Sequence, residues 1–588
     1  MPYKKTSSQI IFTNKAKCRD CYRCVRVCPV KAIRMENNQA AVDESLCILC
    51  GQCIRECPQH AKAYRDDTET VIQLLKERKY VAISVAPSFP AAFTLSEQKR
   101  LPSALRRLGF QFVGLTAEGA YYSAMATLDC INSHPDKSHI CTACPVVVNY
   151  VEKYAPSAID NLVPAASPMI VHAKMLRKKL PKDAALVFAG PCIAKKAEAE
   201  RPENTNGPDA VITFDELKSL LDLEGIQINN LEDSGFDNDP AGDAAYFPVM
   251  GGLLKTAGIP ESDFQTSYTT VSGYNQIREV IAFSTDANLV SEPLFCDMGC
   301  INGPGLTTDR NLFERRSDVL RYAQETRKSK PDQQKKAMPV SGYQFTDKNV
   351  NAAEPQESNI KQILESTGKF TPEDELNCGA CGYPTCREKA IAVIHGMAQT
   401  EMCLPYMRRL AERKTDKVID TSPNGIIILN ENMEFIYMNP AFRNMFRCGD
   451  ALIGKKISSL MSPEMFEELA ASDRDLLENE VNYDRYGIIC HLKLYRLRED
   501  KQFVGIFVDV TKNIISTNKL AALRTKTVLQ AQNLLEHQIT MAQELAKFLG
   551  ESTAKGEELV ENLMKMTEDE EKKSTGKGKW LRDIYTSK

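Results

Sequence analysis

Apolar positions in this chain fall into short runs closed by proline or glycine, and they alternate with stretches of helical spacing. YVAISVAPSFPAAF at 80–93 predicts a buried strand entering a turn. AALVFAGPCIAKKAEAE at 184–200 predicts a second strand, then a loop holding Cys192 and a charged helix. AAYFPVMGGLLKTAG at 244–258 and LFCDMGCINGPG at 294–305 complete a set of strand-like runs. Strands alternating with helices predict α/β layers, with functional groups on loops at strand ends. Further along, SPNGIIILNENMEFIYMNPAFRNMF at 422–446 alternates apolar runs around an Asn-Glu-Asn turn and enters a helix after Asn439-Pro440. YGIICHLKLYRLREDKQFVGIFVDVTKN at 486–513 predicts two strands joined by a polar turn. From 513 to about 567, apolar residues at 520, 523, 528, 531, 534, 535, 539 and 545 predict an amphipathic or coiled-coil helix, followed by a charged end.

Composition then narrows the class. The chain has 588 residues, 43% hydrophobic, with a net charge of −3, which predicts several soluble domains and gives no electrostatic argument for nucleic acid or membrane binding. Residues 1–30 show no signal-peptide pattern, and no run reaches the ~18 apolar residues a membrane span needs, so the expectation is a cytoplasmic protein. Twenty cysteines change the picture: eight fall in 18–57, six between 130 and 300, four in 378–403, and the last two at 448 and 490. Without a secretion signal, such clustering points to metal or redox chemistry.

CRDCYRCVRVCP at 18–29 and CILCGQCIRECP at 47–58 each read C-x2-C-x2-C-x3-C-P. This spacing sends three thiolates to one four-iron cube and the fourth to its neighbour. Cys18, Cys21, Cys24 and Cys57 are therefore expected on one 4Fe–4S cluster, and Cys47, Cys50, Cys53 and Cys28 on the other. The segment resembles bacterial two-cluster ferredoxin domains. Beyond it, Cys144, Cys192, Cys296 and Cys300 sit on three separate loops next to proline or glycine, where four converging thiolates would hold one buried cube.

CTACP, GPCIAKKAE and CDMGCINGPG, with APS at 86–88 and FPVMGG at 247–252 in order, resemble the signature segments of iron-only (FeFe) hydrogenases. The resemblance implies that Cys144, Cys192, Cys296 and Cys300 hold a 4Fe–4S cube. Cys300 would also bridge to a two-iron subcluster carrying CO, cyanide and azadithiolate. It further implies that Lys195 donates to one cyanide, Ser88 with the backbone around Pro87 to the other, and that Glu118 belongs to a proton path. The active family members carry a proton-passing cysteine where this chain has Ala143, whose methyl neither donates nor accepts. Tyr121, Val163, Met169 and Gly190 depart from the family pattern as well. Losing a general acid or base slows a reaction by ~10²–10⁴-fold, and these losses resemble the sensory, PAS-containing subgroup. Cys141 lies two positions too early to replace the missing thiol.

C-x2-C-x4-C followed by a later cysteine (Cys378, Cys381, Cys386, Cys403) resembles the small 4Fe–4S domain of electron-transport and corrinoid iron–sulfur proteins, with zinc as the alternative. The 422–446 string and the exit FVDVTKN resemble a PAS domain; His395, His491 and Cys490 read as structural. The expected fold class is multidomain α+β and α/β. Residues 1–75 form a two-cluster 4Fe–4S ferredoxin domain and 76–323 an FeFe-hydrogenase H-cluster domain. A linker at 324–360 leads to a small 4Fe–4S domain (361–412), a PAS domain (413–512) and a helical or coiled-coil signalling tail (513–588). The expected activity is slow, reversible heterolytic cleavage of H2 to protons and electrons. The expected partners are a separate signalling protein such as a kinase or phosphatase, an electron carrier, and a second copy of the chain in a homodimer. The rival is a non-catalytic iron–sulfur electron-transfer or redox-sensing protein without the two-iron centre.

Overall fold

The computed structural model describes residues 9–238, 242–265, 267–285, 287–327, 342–511, 530–532, 534–536 and 538. The chain divides into two compact units, Met1–Thr400 and a second that begins at Glu401. The tail reading of 513–588 lies outside the described residues apart from those between 530 and 538.

In the first unit, Ile11–Thr13 pairs antiparallel with Lys62–Tyr64, and Ile33–Glu36 with Gln39–Val42, framing the two cysteine motifs. A four-stranded parallel sheet follows, in the order Phe112–Leu115, Val81–Val85, Ala185–Gly190, Ala210–Thr213. Its strands are continuous apolar runs because helices cover both faces; Val81, Ala82, Ile83 and Val85 are fully buried. A second parallel sheet runs Tyr268–Ser272, Val290–Leu294, His139–Ile140. Ser88 follows Val81–Val85, Cys192 follows Ala185–Gly190, Cys144 follows His139–Ile140 and Cys296 follows Val290–Leu294. The cofactor-facing candidates thus sit beyond the carboxyl ends of parallel strands, where α/β sheets place their ligands.

Buried charge ties the cysteine-rich entrance to this layered region. The Lys196 ammonium, wholly buried, donates to Asp67 at 3.0 Å, Glu216 at 2.8 Å and the Val211 carbonyl at 2.9 Å. Glu216 also closes a capping box with Thr213, accepting from its N–H at 2.6 Å while Thr213 Oγ1 accepts from Glu216 N at 3.1 Å.

Two expectations change. Residues 244–258 are not a strand: they form a 3-10 turn at Gly242–Tyr246 and a short helix at Gly252–Thr256. Pro248 and the pair Gly251-Gly252 fold the chain back so tightly that a Cβ on Gly252 would lie 2.0 Å from the Tyr246 carbonyl oxygen. The polar stretch read as a linker is also partly docked. Lys348 donates its N–H to Glu152 O at 2.9 Å and its ammonium to Glu152 Oε2 at 2.9 Å, and Tyr343 N donates to Pro164 O at 3.2 Å. Glu152 is almost fully buried and takes a double hydrogen bond from Arg201 at 3.2 and 2.8 Å, so it acts as an anchor that composition alone does not reveal.

The second unit is an antiparallel five-stranded sheet in the order Phe435–Met438, Gly425–Leu429, Gln502–Asp509, Ile488–Leu497, Leu476–Tyr483. The Asn-Pro signal does start a helix, Pro440–Phe446, because the buried Asn439 amide accepts from Phe442 N at 3.0 Å and Ile426 N at 2.8 Å. Phe435, Phe442, Phe446 and Phe507 fill the space beneath the sheet. His491 pairs with Glu478 at 3.5 Å. Among the described residues, no helix is long and apolar enough to cross a membrane.

Candidate functional site

The two entrance motifs interlock. Cys24 feels the like charges of Cys21, Cys18 and Cys57, and all four line one small cavity. Cys50 and Cys53 feel Cys28 and Cys47 most, with a smaller effect of Cys24 on Cys53. Short helices at Arg23–Val27 and Gln52–Arg55 produce this exchange, because each turns the fourth cysteine of its motif toward the other motif. Burial pushes the Cys24 and Cys47 thiols up to about 11, so the protons leave these sulfurs only for a strong positive charge such as iron.

Deeper in, Cys296 feels Cys192, Cys300 and Cys144, and Cys300 feels Cys144, Cys192 and Lys195. The set contributed by three loops therefore faces one point. Burial raises Cys192 to about 12 and drives Cys300 and Cys296 well above the ordinary thiol range. No group of three or more His, Cys, Asp or Glu side chains among the described residues has the geometry for a single metal ion. A cube, which takes each thiolate on a separate iron, has no need of that geometry.

Lys195 acts on Cys192 and Cys300, and Ser88 lies just beyond the strand Val81–Val85. Ser88 is 1% exposed and its hydroxyl oxygen has no hydrogen-bond partner, an orphan suited to an anionic ligand. Lys195 donates to Glu198 Oε2 at 2.7 Å, Ser167 Oγ at 2.9 Å and the Ala143 carbonyl at 3.4 Å. All three of its N–H groups are thus engaged, and only the long contact to Ala143 is cheap to exchange for a ligand. The donor set fits a buried four-iron cube with an anionic group beside it.

Glu118 occupies a different network. It accepts from Lys179 at 3.1 Å and Asn238 at 3.1 Å, and His172 Nε2 lies 3.8 Å away. Burial would raise its carboxyl, but the Asn238 and Lys179 donors and the nearby positive charge bring it below the ordinary range. Tyr121, one of the departures from the family pattern, packs edge-on against Tyr122.

Two buried groups escaped the sequence reading. Glu292 is fully buried, accepts from Leu253 N and Leu254 N at 3.1 Å each, and is pushed up to about 7 by burial. Its charge acts on both Cys141 and Cys300. A glutamate inside the apolar strand Val290–Leu294, four residues before Cys296, was the available signal. His172 is wholly buried, with Nδ1 2.7 Å from Ser84 Oγ, and burial lowers it to about 4. Below the ordinary value of 6.5 the unfolded chain binds a proton that folded His172 refuses. Its contribution is complete above about pH 6.5 and declines as pH falls toward 4, by roughly 3 kcal/mol in all. His172→Gln should flatten this acid slope relative to the parent when urea midpoints are followed across the window; an unchanged slope would refute the assignment.

Residues 79–304 match the family model described as iron-only hydrogenase large subunit, C-terminal domain. This segment is similar to iron-only hydrogenases. That match is preceded by one to a 4Fe–4S dicluster domain at 10–58 and followed by matches to an Fe–S cluster family at 374–405 and a PAS domain at 413–484. Iron hydrogenase 1 of Clostridium pasteurianum is 27% identical over 379 residues, covering 52% of this chain and 66% of that protein. The NADP-reducing hydrogenase subunit HndD of Solidesulfovibrio fructosivorans is 29% identical over 285 residues, covering 44% of this chain and 43% of that protein. Cytosolic iron-sulfur assembly component 3 of Pongo abelii is 26% identical over 300 residues, covering 39% and 62% respectively. The chain spans less than two thirds of the length of each of these relatives.

Of the third cysteine set, Cys378, Cys381 and Cys386 lie in the first unit and Cys403 in the second, immediately before the helix Leu404–Thr421. Asn377 Oδ1 accepts from Cys386 N at 2.7 Å and closes the loop that carries the first three.

Proposed function

We propose that this chain is a slow, sensory iron-only hydrogenase that cleaves H2 heterolytically and reports the resulting reduction through its iron–sulfur modules to the PAS domain. The observation that carries this reading is the convergence of Cys144, Cys192, Cys296 and Cys300, with Lys195 acting on Cys192 and Cys300. When bound there, a four-iron cube joined to a two-iron centre with CO, cyanide and azadithiolate supplies the open iron site and the redox capacity. Cys144, Cys192 and Cys296 would serve as thiolate ligands, and Cys300 would be the thiolate shared with the two-iron part. Ser88 donates its hydroxyl to one anionic ligand, and Lys195 exchanges its 3.4 Å contact with Ala143 for another.

Low turnover follows from what surrounds this set. Position 143 has no proton-carrying group, and Glu118 is held ionised between Lys179 and Asn238, where a carboxylate is a poor general acid. A sensor needs a redox change on exposure to H2 and not throughput. Clusters held by Cys18, Cys21, Cys24 and Cys57 and by Cys28, Cys47, Cys50 and Cys53 would supply a path for electrons, and Cys378, Cys381, Cys386 and Cys403 are the proposed ligands of a further cluster. A separate kinase or phosphatase reads the output, and the 513–588 segment serves a homodimer.

The second reading, an electron-transfer or redox-sensing protein without the two-iron centre, is favoured by one observation: Lys195 already has three partners. An infrared spectrum of anaerobically matured protein, with and without H2, separates the two. Hydrogen-sensitive bands in the region where metal-bound CO and cyanide absorb are expected. A blank spectrum alongside intact iron–sulfur EPR signals, with a control hydrogenase matured in parallel, would select the second reading.

A further inference from the structure

The loop of Cys378, Cys381 and Cys386 does not stand apart from the entrance module. Arg26 Nη1 donates to Ala380 O at 3.0 Å, and the Lys31 ammonium donates to Gly382 O at 2.8 Å. Lys31 also sits over the Tyr383 ring, 5.8 Å from its centroid, and Met35 N donates to Met397 O at 3.3 Å. Gly382, at φ +96°, packs so closely that a Cβ there would lie 2.8 Å from Val25 Cγ1. Tyr383 is 3% exposed, and its hydroxyl has no hydrogen-bond partner.

This contact falls at one particular cysteine. Lys31 lies three residues after Cys28, and Cys28 Sγ accepts from Ala32 N at 3.2 Å. Both Lys31 and Tyr383 feel the charges of Cys28 and Cys381. Cys28 belongs with Cys47, Cys50 and Cys53, and that group also meets the hydrogenase site. Ile48 and Cys50 pack in one apolar cluster with Cys144 and Cys192, and Arg55 Nη1 donates to Asn302 O at 3.1 Å. The cavity of Cys18, Cys21, Cys24 and Cys57 is lined by Met35 and Lys62 but not by Lys31 or Tyr383.

We infer that the cube of Cys28, Cys47, Cys50 and Cys53 is a branch point, which passes electrons to the Cys381 cluster across a Lys31–Tyr383 junction without using the Cys24 cube. The inference rests on the iron–sulfur part of the proposed function and extends it. One electron moves per event: the Cys28 cube is oxidised by one, the Cys381 cluster is reduced by one, and no bond or proton changes. The fixed ammonium of Lys31 stabilises the more negative, reduced state on either side of the junction, so it holds the two potentials together. Arg26 also donates to Cys21 O at 3.1 Å, which makes exit through the Cys24 cube the competing route.

The test is an EPR-monitored redox titration of the full, cluster-loaded chain with a chemical reductant, comparing the parent with Lys31→Met and Lys31→Arg. Lys31→Met should lower the potentials of the Cys28 cube and the Cys381 cluster together while leaving the Cys24 cube in place, and Lys31→Arg should restore the parent values. Unchanged potentials, or a shift confined to the Cys24 cube, would overturn the junction. Gly382→Val, which forces the loop off Val25, should slow reduction of the Cys381 cluster at least tenfold without slowing the Cys28 cube. Equal rates would also overturn it. If H2 reduces no cluster while the chemical titration shows the paired shift, the hydrogenase reading fails and the junction stands.

Discussion

Cys300→Ser should abolish the infrared bands of metal-bound CO and cyanide and bring hydrogen turnover below detection, while the EPR signals of the two entrance cubes persist. The reason is chemical and local. Cys300 is buried among Cys144, Cys192 and Lys195, and burial drives its thiol far up, so only coordination takes the proton from this sulfur. A serine hydroxyl is a harder and far weaker acid, and it cannot bridge two iron centres as a soft thiolate can. The entrance cubes depend on cysteines at 18–57, well away in sequence and held by their own two small sheets. They report whether the variant folds. Retention of the bands would show that Cys300 is not the bridging ligand.

Ala143→Cys should raise the rate of H2 oxidation by ~10²–10⁴-fold, the range a positioned general acid or base contributes. Ala143 lies between Thr142, whose hydroxyl donates to Val163 O at 3.0 Å and Ala165 O at 2.9 Å, and Cys144 at the start of the helix Pro145–Tyr154. The Ala143 backbone is therefore fixed, and its carbonyl lies 3.4 Å from Lys195. A thiol placed there gains a titratable proton beside the four-cysteine site with little rearrangement. Rate and solvent isotope effect, measured together, check the prediction. A variant with parental rate would mean that protons reach the site by another path, and buried Glu292, acting on both Cys141 and Cys300, is the first group to replace next.

The cysteine motifs were readable because cluster ligation imposes spacing on sequence: eight cysteines at fixed intervals leave few chemical alternatives. The strands at 81–85 and 185–190 were readable for a similar reason, since a parallel sheet covered on both faces requires unbroken apolar runs. Residues 244–258 misled because Ala244, Tyr246, Phe247 and Val249 are as buried as strand residues, while the tight approach of Gly252 to Tyr246 turns the chain into helical turns. His172 carried no signal, since one histidine in an apolar helix looks the same whether or not a glutamate lies 3.8 Å away.

By itself the sequence determined which cysteines carry cluster-type spacing, which covered runs become strands, and that position 143 lacks a proton carrier. Periodicity and ligand spacing are local properties, written in consecutive residues. Tertiary structure alone decided that Lys195 is occupied by Ser167 and Glu198, that Glu152 anchors the supposed linker, and that the Cys381 loop rests on Arg26 and Lys31. Each of these joins residues brought together only by packing, through hydrogen bonds that any lysine or glutamate could make, and so no pattern along the chain announces them.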